Sequence, residues 1–132
     1  MDIAIRVDSS LQIGSGHVMR CLVLANILKK NGADVTFLSR KHEGNLINKI
    51  QLAGFKVFEL CCDKNNTVTK FSYSNWLGTS PELDARECID LLKNRSIDWL
   101  IVDHYDLGKN WHKKLNKYCD KLMVIDDMAN KK

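Results

Sequence analysis

The chain has 132 residues, 45% of them hydrophobic and 27% charged, with a formal net charge of +4. That is the composition of one ordinary soluble domain, long enough for a sizeable core. Its lysines come in short groups such as Lys29-Lys30 and Lys113-Lys114, and no basic stripe speaks for a nucleic-acid partner. No apolar run nears the ~20 residues of a membrane span, and because Met1-Asp2 enters a strand pattern no signal peptide is expected. The five cysteines, at 21, 61, 62, 88 and 119, form no CxxC pair. Thiols in a reducing cytoplasm are the expectation.

Ile3-Ala4-Ile5-Arg6-Val7 reads as the first strand. It runs into Asp8-Ser9-Ser10-Leu11-Gln12-Ile13-Gly14-Ser15-Gly16-His17, a polar turn with two glycines. Helical spacing then begins at Val18, Cys21, Leu22, Ala25 and Leu28. The glycines let the backbone turn sharply and approach a ligand. The amides just beyond them can receive an anion such as a phosphate. His17 sits at the positive end of that helix dipole, worth roughly 0.3–1 kcal/mol, which biases the ring toward the neutral form that a base needs.

Asn31-Gly32 stops the helix, and Val35-Thr36-Phe37-Leu38 reads as a second strand. Leu46, Ile47, Ile50 and Ala53 mark a second helix that ends at Gly54, followed by a third strand at Lys56–Leu60. Cys61 to Ser80 shows neither period. Its Tyr73, Trp76, Leu77 and Gly78 suit a lid over a ligand and suit a surface excursion equally well. Ser80-Pro81 then caps a helix whose expected buried side is Leu83, Cys88, Ile89, Leu91 and Leu92. Trp99-Leu100-Ile101-Val102 suits a strand covered on both faces, and it ends in Asp103-His104-Tyr105-Asp106. A helix with Trp111, Leu115, Tyr118 and Cys119 on one side leads to a fifth strand at Leu122–Ile125.

Strands alternating with single helices predict right-handed βαβ units in one α/β domain spanning 1–132, a Rossmann-like doubly wound parallel sheet. In the order 3-2-1-4-5, strands 1 and 4 flank the reversal where ligands bind. There the Gly14–His17 loop would meet Asp103, His104 and Tyr105. Each residue also has a plainer reading. The loop is neither GxGxxG nor a GK[ST] phosphate loop. His17 reads as a helix-cap residue as readily as a catalyst, Asp8 as a loop cap, and Asp103 as a backbone anchor. His42 and His112 are expected to be exposed. The histidines lack helical zinc spacing and no carboxylate motif replaces it, so no metal is expected; no cofactor is expected either.

The string Arg6-x-Asp8-x-Ser10-x-x-Ile13-Gly14-x-Gly16-His17-x-x-Arg20-Cys21-Leu22-x-Leu24-Ala25 resembles the opening signature of the UDP-sugar hydrolases of pseudaminic acid biosynthesis. These are UDP-2,4-diacetamido-2,4,6-trideoxy-β-L-altropyranose hydrolases, grouped with spore-coat polysaccharide biosynthesis proteins. Trp76-Leu77-Gly78 with Asp84-Ala85, Val102-Asp103-His104-Tyr105-x-Leu107 with Trp111, and Ile125-Asp126-Asp127 are similar to later blocks of that family in the same order. The resemblance implies the N-terminal half of a two-domain glycosyltransferase-B architecture. It also implies cleavage of the anomeric C–O bond by water, with inversion. In that family's terms His17 is the general base and Tyr105 lines the sugar site. Gly14, Ser15, Gly16, Arg20, Asp8 and His104 belong to the substrate side. Family members are much longer, and their second half carries most uridine and diphosphate contacts. A C-terminal domain is therefore an expected partner, and poor turnover is expected of this chain alone. A half of a related glycosyltransferase and a non-catalytic binding module are the rival readings.

Overall fold

The computed structural model describes residues 1–10, 15–61, 79–104 and 107–125. Its strands are β1 (Asp2–Val7), β2 (Asp34–Arg40), β3 (Lys56–Leu60), β4 (Ile97–Asp103) and β5 (Cys119–Val124). Its helices are α1 (Gly16–Lys30), α2 (Ile47–Leu52), α3 (Pro81–Leu92) and α4 (Lys109–Leu115). The strands form a parallel sheet in the order β3-β2-β1-β4-β5. This is the Rossmann-like order expected from the alternation of periods.

Side chains on a strand alternate between faces, and that alternation builds two cores. Ile3, Ile5 and Val7 of β1 join Val35 and Phe37 of β2 and Ile101 of β4 on one face. Val18, Cys21, Leu22 and Ala25 of α1 and Ile50 of α2 cover them. Ala4, Leu38, Leu60, Leu100 and Val102 lie on the other face under Ala85, Cys88 and Leu92 of α3 and Trp111 and Leu115 of α4. The register sets Ile5 of β1 against Phe37 and Ile101, and Val7 against Asp103. Both central strands therefore end together at the carboxyl edge of the sheet.

The helix stops are as expected: Gly32 and Gly54 adopt φ of +91° and +95°, a left-handed conformation that other residues reach only at a cost. Ser80 caps α3 by accepting a hydrogen bond from the Leu83 amide at 3.1 Å. Two expectations fail. Leu83 is 37% exposed, and the inward stripe of α3 is Asp84, Ala85, Cys88 and Leu92. The helix is rotated so that a carboxylate, not a leucine, enters the sheet. Second, α4 closes in a 3₁₀ turn at Asn116–Tyr118, so Tyr118 and Cys119 do not continue its face. Cys119 already belongs to β5, pairing beside Ile97, and the strand starts three residues before Leu122. The polar Cys119-Asp120-Lys121 segment tolerates strand geometry because β5 is an edge with solvent on its outer side. Among the described residues no helix is long and apolar enough to cross a membrane.

Candidate active site

The carboxyl ends of β1 and β4 carry two polar groups, one on each face of the sheet. On the α1 face, Asp103 ends β4 and is 1% exposed. Its carboxylate reaches across to the first turns of α1. Oδ1 accepts from His17 Nδ1 at 2.7 Å and from the Arg20 guanidinium at 2.6 Å, and Oδ2 accepts from Arg20 Nε at 2.7 Å. The Cys21 thiol adds a longer contact to Oδ2 at 3.4 Å. A carboxylate has no proton to give at neutral pH, so His17 presents Nδ1–H to it, and the neutral ring that does so has its lone pair on Nε2. His17 and Arg20 reach one acceptor because residues three apart lie on the same side of a helix.

Burial alone would raise the Asp103 carboxyl. The hydrogen bonds and charges of Arg20 and His17 outweigh it and hold the group at about 2. Asp103 is thus a permanent anion beneath His17. The Cys21 thiol is pushed well up by burial and by that same anion, which makes it a packing residue and not a nucleophile. Ser15 precedes α1 without a side-chain cap bond, in contrast to Ser80 before α3.

On the opposite face lies a larger network, buried except at Glu87. Arg6 donates to Asp8 at 2.5 and 3.2 Å and to Asp84 at 2.5 and 3.3 Å. Arg40 donates to Asp84 at 2.6 Å, to Glu87 at 2.7 Å and to the Cys61 carbonyl. Trp111 Nε1 completes Asp84 at 2.9 Å. Asp8 also accepts from the Arg40 amide at 2.7 Å, and its Oδ2 takes both His42 Nε2 at 3.1 Å and His104 Nε2 at 3.0 Å. Burial opposes charge on both carboxylates, yet Arg6 and its neighbours prevail. Asp8 falls well below the usual range, and Arg6 with Arg40 brings Asp84 to about 2. Arg6 in turn is stripped of water by burial, but Asp8 and Asp84 more than restore its charge. The network ties the ends of β1, β2 and β4 to α3 and α4.

Of the residues singled out in the sequence, the structure brings His17, Arg20 and Asp103 into one contact set and Asp8 and His104 into another. Ser15 and Gly16 are exposed at the start of α1. Gly14 and Tyr105 lie outside the described residues, as does most of the Cys61–Ser80 stretch with Tyr73, Trp76, Leu77 and Gly78. His42 corrects an expectation: it is 8% exposed, turned inward by Asp8. His112 is half-buried against the edge of Trp111 at 5.8 Å, not exposed, and burial lowers it. Arg40 and Asp84 were missed as interacting residues. Arg40 lies two positions beyond Leu38, so strand alternation was the signal that could have pointed it inward. Asp84 stood out in the sequence only as part of the Asp84-Ala85 block, with no partner assigned to it. Among the described residues no cluster of three His, Cys, Asp or Glu side chains could hold a metal ion.

No family model matches the chain. It is 31% identical over 127 residues to an uncharacterized protein of Methanocaldococcus jannaschii, covering 96% of this chain and 22% of that protein. It is also 31% identical over 128 residues to a UDP-2,4-diacetamido-2,4,6-trideoxy-beta-L-altropyranose hydrolase of Campylobacter jejuni, covering 96% of this chain and 37% of the hydrolase. The chain therefore spans well under half the length of either relative.

Proposed function

We propose that this chain carries the catalytic-base side of a UDP-sugar hydrolase, with His17 as the base. The observation that carries the reading is the 2.7 Å contact between His17 Nδ1 and Asp103, made at the reversal of the sheet, where open α/β sheets take ligands. The similarity to a hydrolase of a UDP-linked sugar supports it. In this reading a water O–H bond breaks as its proton passes to His17 Nε2. The water oxygen bonds to the anomeric carbon from the side opposite UDP. The C–O bond to the β-phosphate breaks, its electron pair leaving with UDP, and the carbon is inverted. Asp103 holds the ring in the reactive tautomer and steadies the imidazolium that forms.

The start of α1, where Ser15 makes no side-chain cap bond, suits the leaving diphosphate, since the first amides of a helix favour an anion. Gly14, Ser15, Gly16 and Tyr105 are assigned to the walls of the substrate pocket. Asp8 and His104, buried against each other on the other face of the sheet, support the ends of the strands from behind that pocket. The match covers 37% of the hydrolase relative, so the reading leaves uridine and most diphosphate contacts to a further domain. It places the reaction in pseudaminic acid biosynthesis.

The test is UDP release by a protein that includes such a domain, supplied with the diacetamido-trideoxy UDP-sugar in ¹⁸O-water. His17→Ala should lower kcat by roughly 10²–10⁴-fold, and the label should enter the free sugar at its anomeric oxygen. Undiminished turnover in His17→Ala refutes the base assignment. UDP release that depends on an added acceptor alcohol makes the protein a transferase instead.

A further inference from the structure

The Asp103 carboxylate is shared three ways, and the largest share goes to Arg20. A carboxylate offers about four lone-pair directions. The Arg20 fork takes one on each oxygen at 2.6 and 2.7 Å, His17 takes the second on Oδ1, and the Cys21 thiol faces the second on Oδ2. A planar guanidinium bound through two parallel N–H groups fixes the plane of the carboxylate as well as its position. Oδ1 then has one remaining direction, and His17 lies along it. Arg20 itself is one-third exposed, whereas the Asp103 side chain is fully covered. The arginine reaches the carboxylate from the solvent side.

We propose that Arg20 is a positioning residue that acts through Asp103, clamping the carboxylate so that His17 keeps Nδ1–H on it and Nε2 directed to the reacting water. This rests on the hydrolase reading above, and it gives Arg20 a role distinct from contact with the substrate. The two roles make opposite demands on a lysine. A phosphate contact tolerates Arg20→Lys, because an ammonium still binds a phosphate as a point charge. A clamp does not, because lysine cannot form the fork.

Two measurements decide it. In the first, kinetics of the two-domain protein are compared for Arg20→Lys, Asp103→Asn and the double variant. The clamp predicts that Arg20→Lys lowers kcat by about 10–100-fold with little change in KM. It also predicts that Arg20→Lys adds little once Asp103 is already Asn, since both changes break one unit. A raised KM with near-normal kcat, or losses that multiply in the double variant, overturns the proposal. The second uses ¹⁵N NMR of the His17 ring, assigned by the signals lost in His17→Phe, and needs no substrate. The parent should show a single Nδ1–H tautomer, and Arg20→Lys a mixture, with melting temperatures confirming that each variant is folded. An unchanged tautomer in Arg20→Lys refutes the clamp whatever the reaction proves to be. A shifted tautomer in a protein that does not hydrolyse UDP-sugars keeps the clamp and refutes the hydrolase reading.

Discussion

Asp103 and Asp8 each hold histidine at the same edge of the sheet, yet they hold it by opposite ends of the ring. Asp103 takes Nδ1 of His17, the nitrogen nearer the backbone, which turns the distal Nε2 away from the carboxylate. Asp8 takes Nε2 of both His42 and His104, so these rings point their tips into the protein. The surroundings differ in the same sense. Asp103 is met by an arginine that is one-third exposed, on a helix whose N-cap Ser15 makes no side-chain cap bond. Asp8 is met by Arg6, which is fully covered and shared with Asp84. An aspartate–histidine contact is therefore not by itself the mark of a base. What separates a holding contact from a reactive one is which nitrogen is engaged and whether the other can meet a substrate.

The sharpest way to break this comparison is to remove one carboxylate from each side. Asp84→Asn leaves Arg6 and Arg40 without the anion they share, and it should cost about 3–5 kcal/mol of stability. Urea unfolding measures it, and a loss below about 1 kcal/mol would show that the buried network is dispensable. Asp103→Asn should cost only about 1–3 kcal/mol of stability, since Arg20 regains water. Its larger effect should fall on kcat, roughly 10²–10⁴-fold, as the His17 tautomer is lost. A variant that loses stability but keeps its turnover would place Asp103 with the holding contacts.

Acid comes next in size. Asp84 is held at about 2 against an ordinary 3.8, so its contribution is present above about pH 4 and is lost as the pH falls toward 2. The amount is on the order of 2 kcal/mol. Asp8 and Asp103 are lowered as well and act with the same sign. The urea midpoint should therefore drop steeply between about pH 4 and 2, and Asp84→Asn should flatten that drop. A parent midpoint that holds steady across this window contradicts the assignment. The smallest effect compares the two helix starts. Ser80→Ala removes a cap and should cost about 1 kcal/mol. Ser15→Ala removes none and should stay within about 0.5 kcal/mol by the same unfolding measurement.

Much of this molecule is local in origin and was legible before any coordinates. Glycines at 32 and 54, the Ser80-Pro81 start, and strand and helix periods that switch every few residues specify the elements. The handedness of βαβ units then leaves few sheet orders, and the one observed is the one expected. The meeting of His17 with the end of β4 follows from that order alone. The misread residues are those whose orientation depends on distant charges. Leu83 and Asp84 are adjacent, and hydropathy favours the leucine for burial. Arg6, Arg40 and Trp111, from three other elements, draw the aspartate inward instead.

His42 was misjudged for the same reason, since a loop histidine is polar by composition and buried only because Asp8 waits beneath it. Arg20, too, could be placed on the helix from its spacing but not assigned to Asp103. Periodicity is a property of neighbours along the chain, so elements, their order and the edge where His17 meets Asp103 were already written there. Electrostatic partners are chosen across space, where a buried charge must find its opposite or not be buried at all. Only the folded arrangement could decide which carboxylate gathers the buried arginines and which one meets His17.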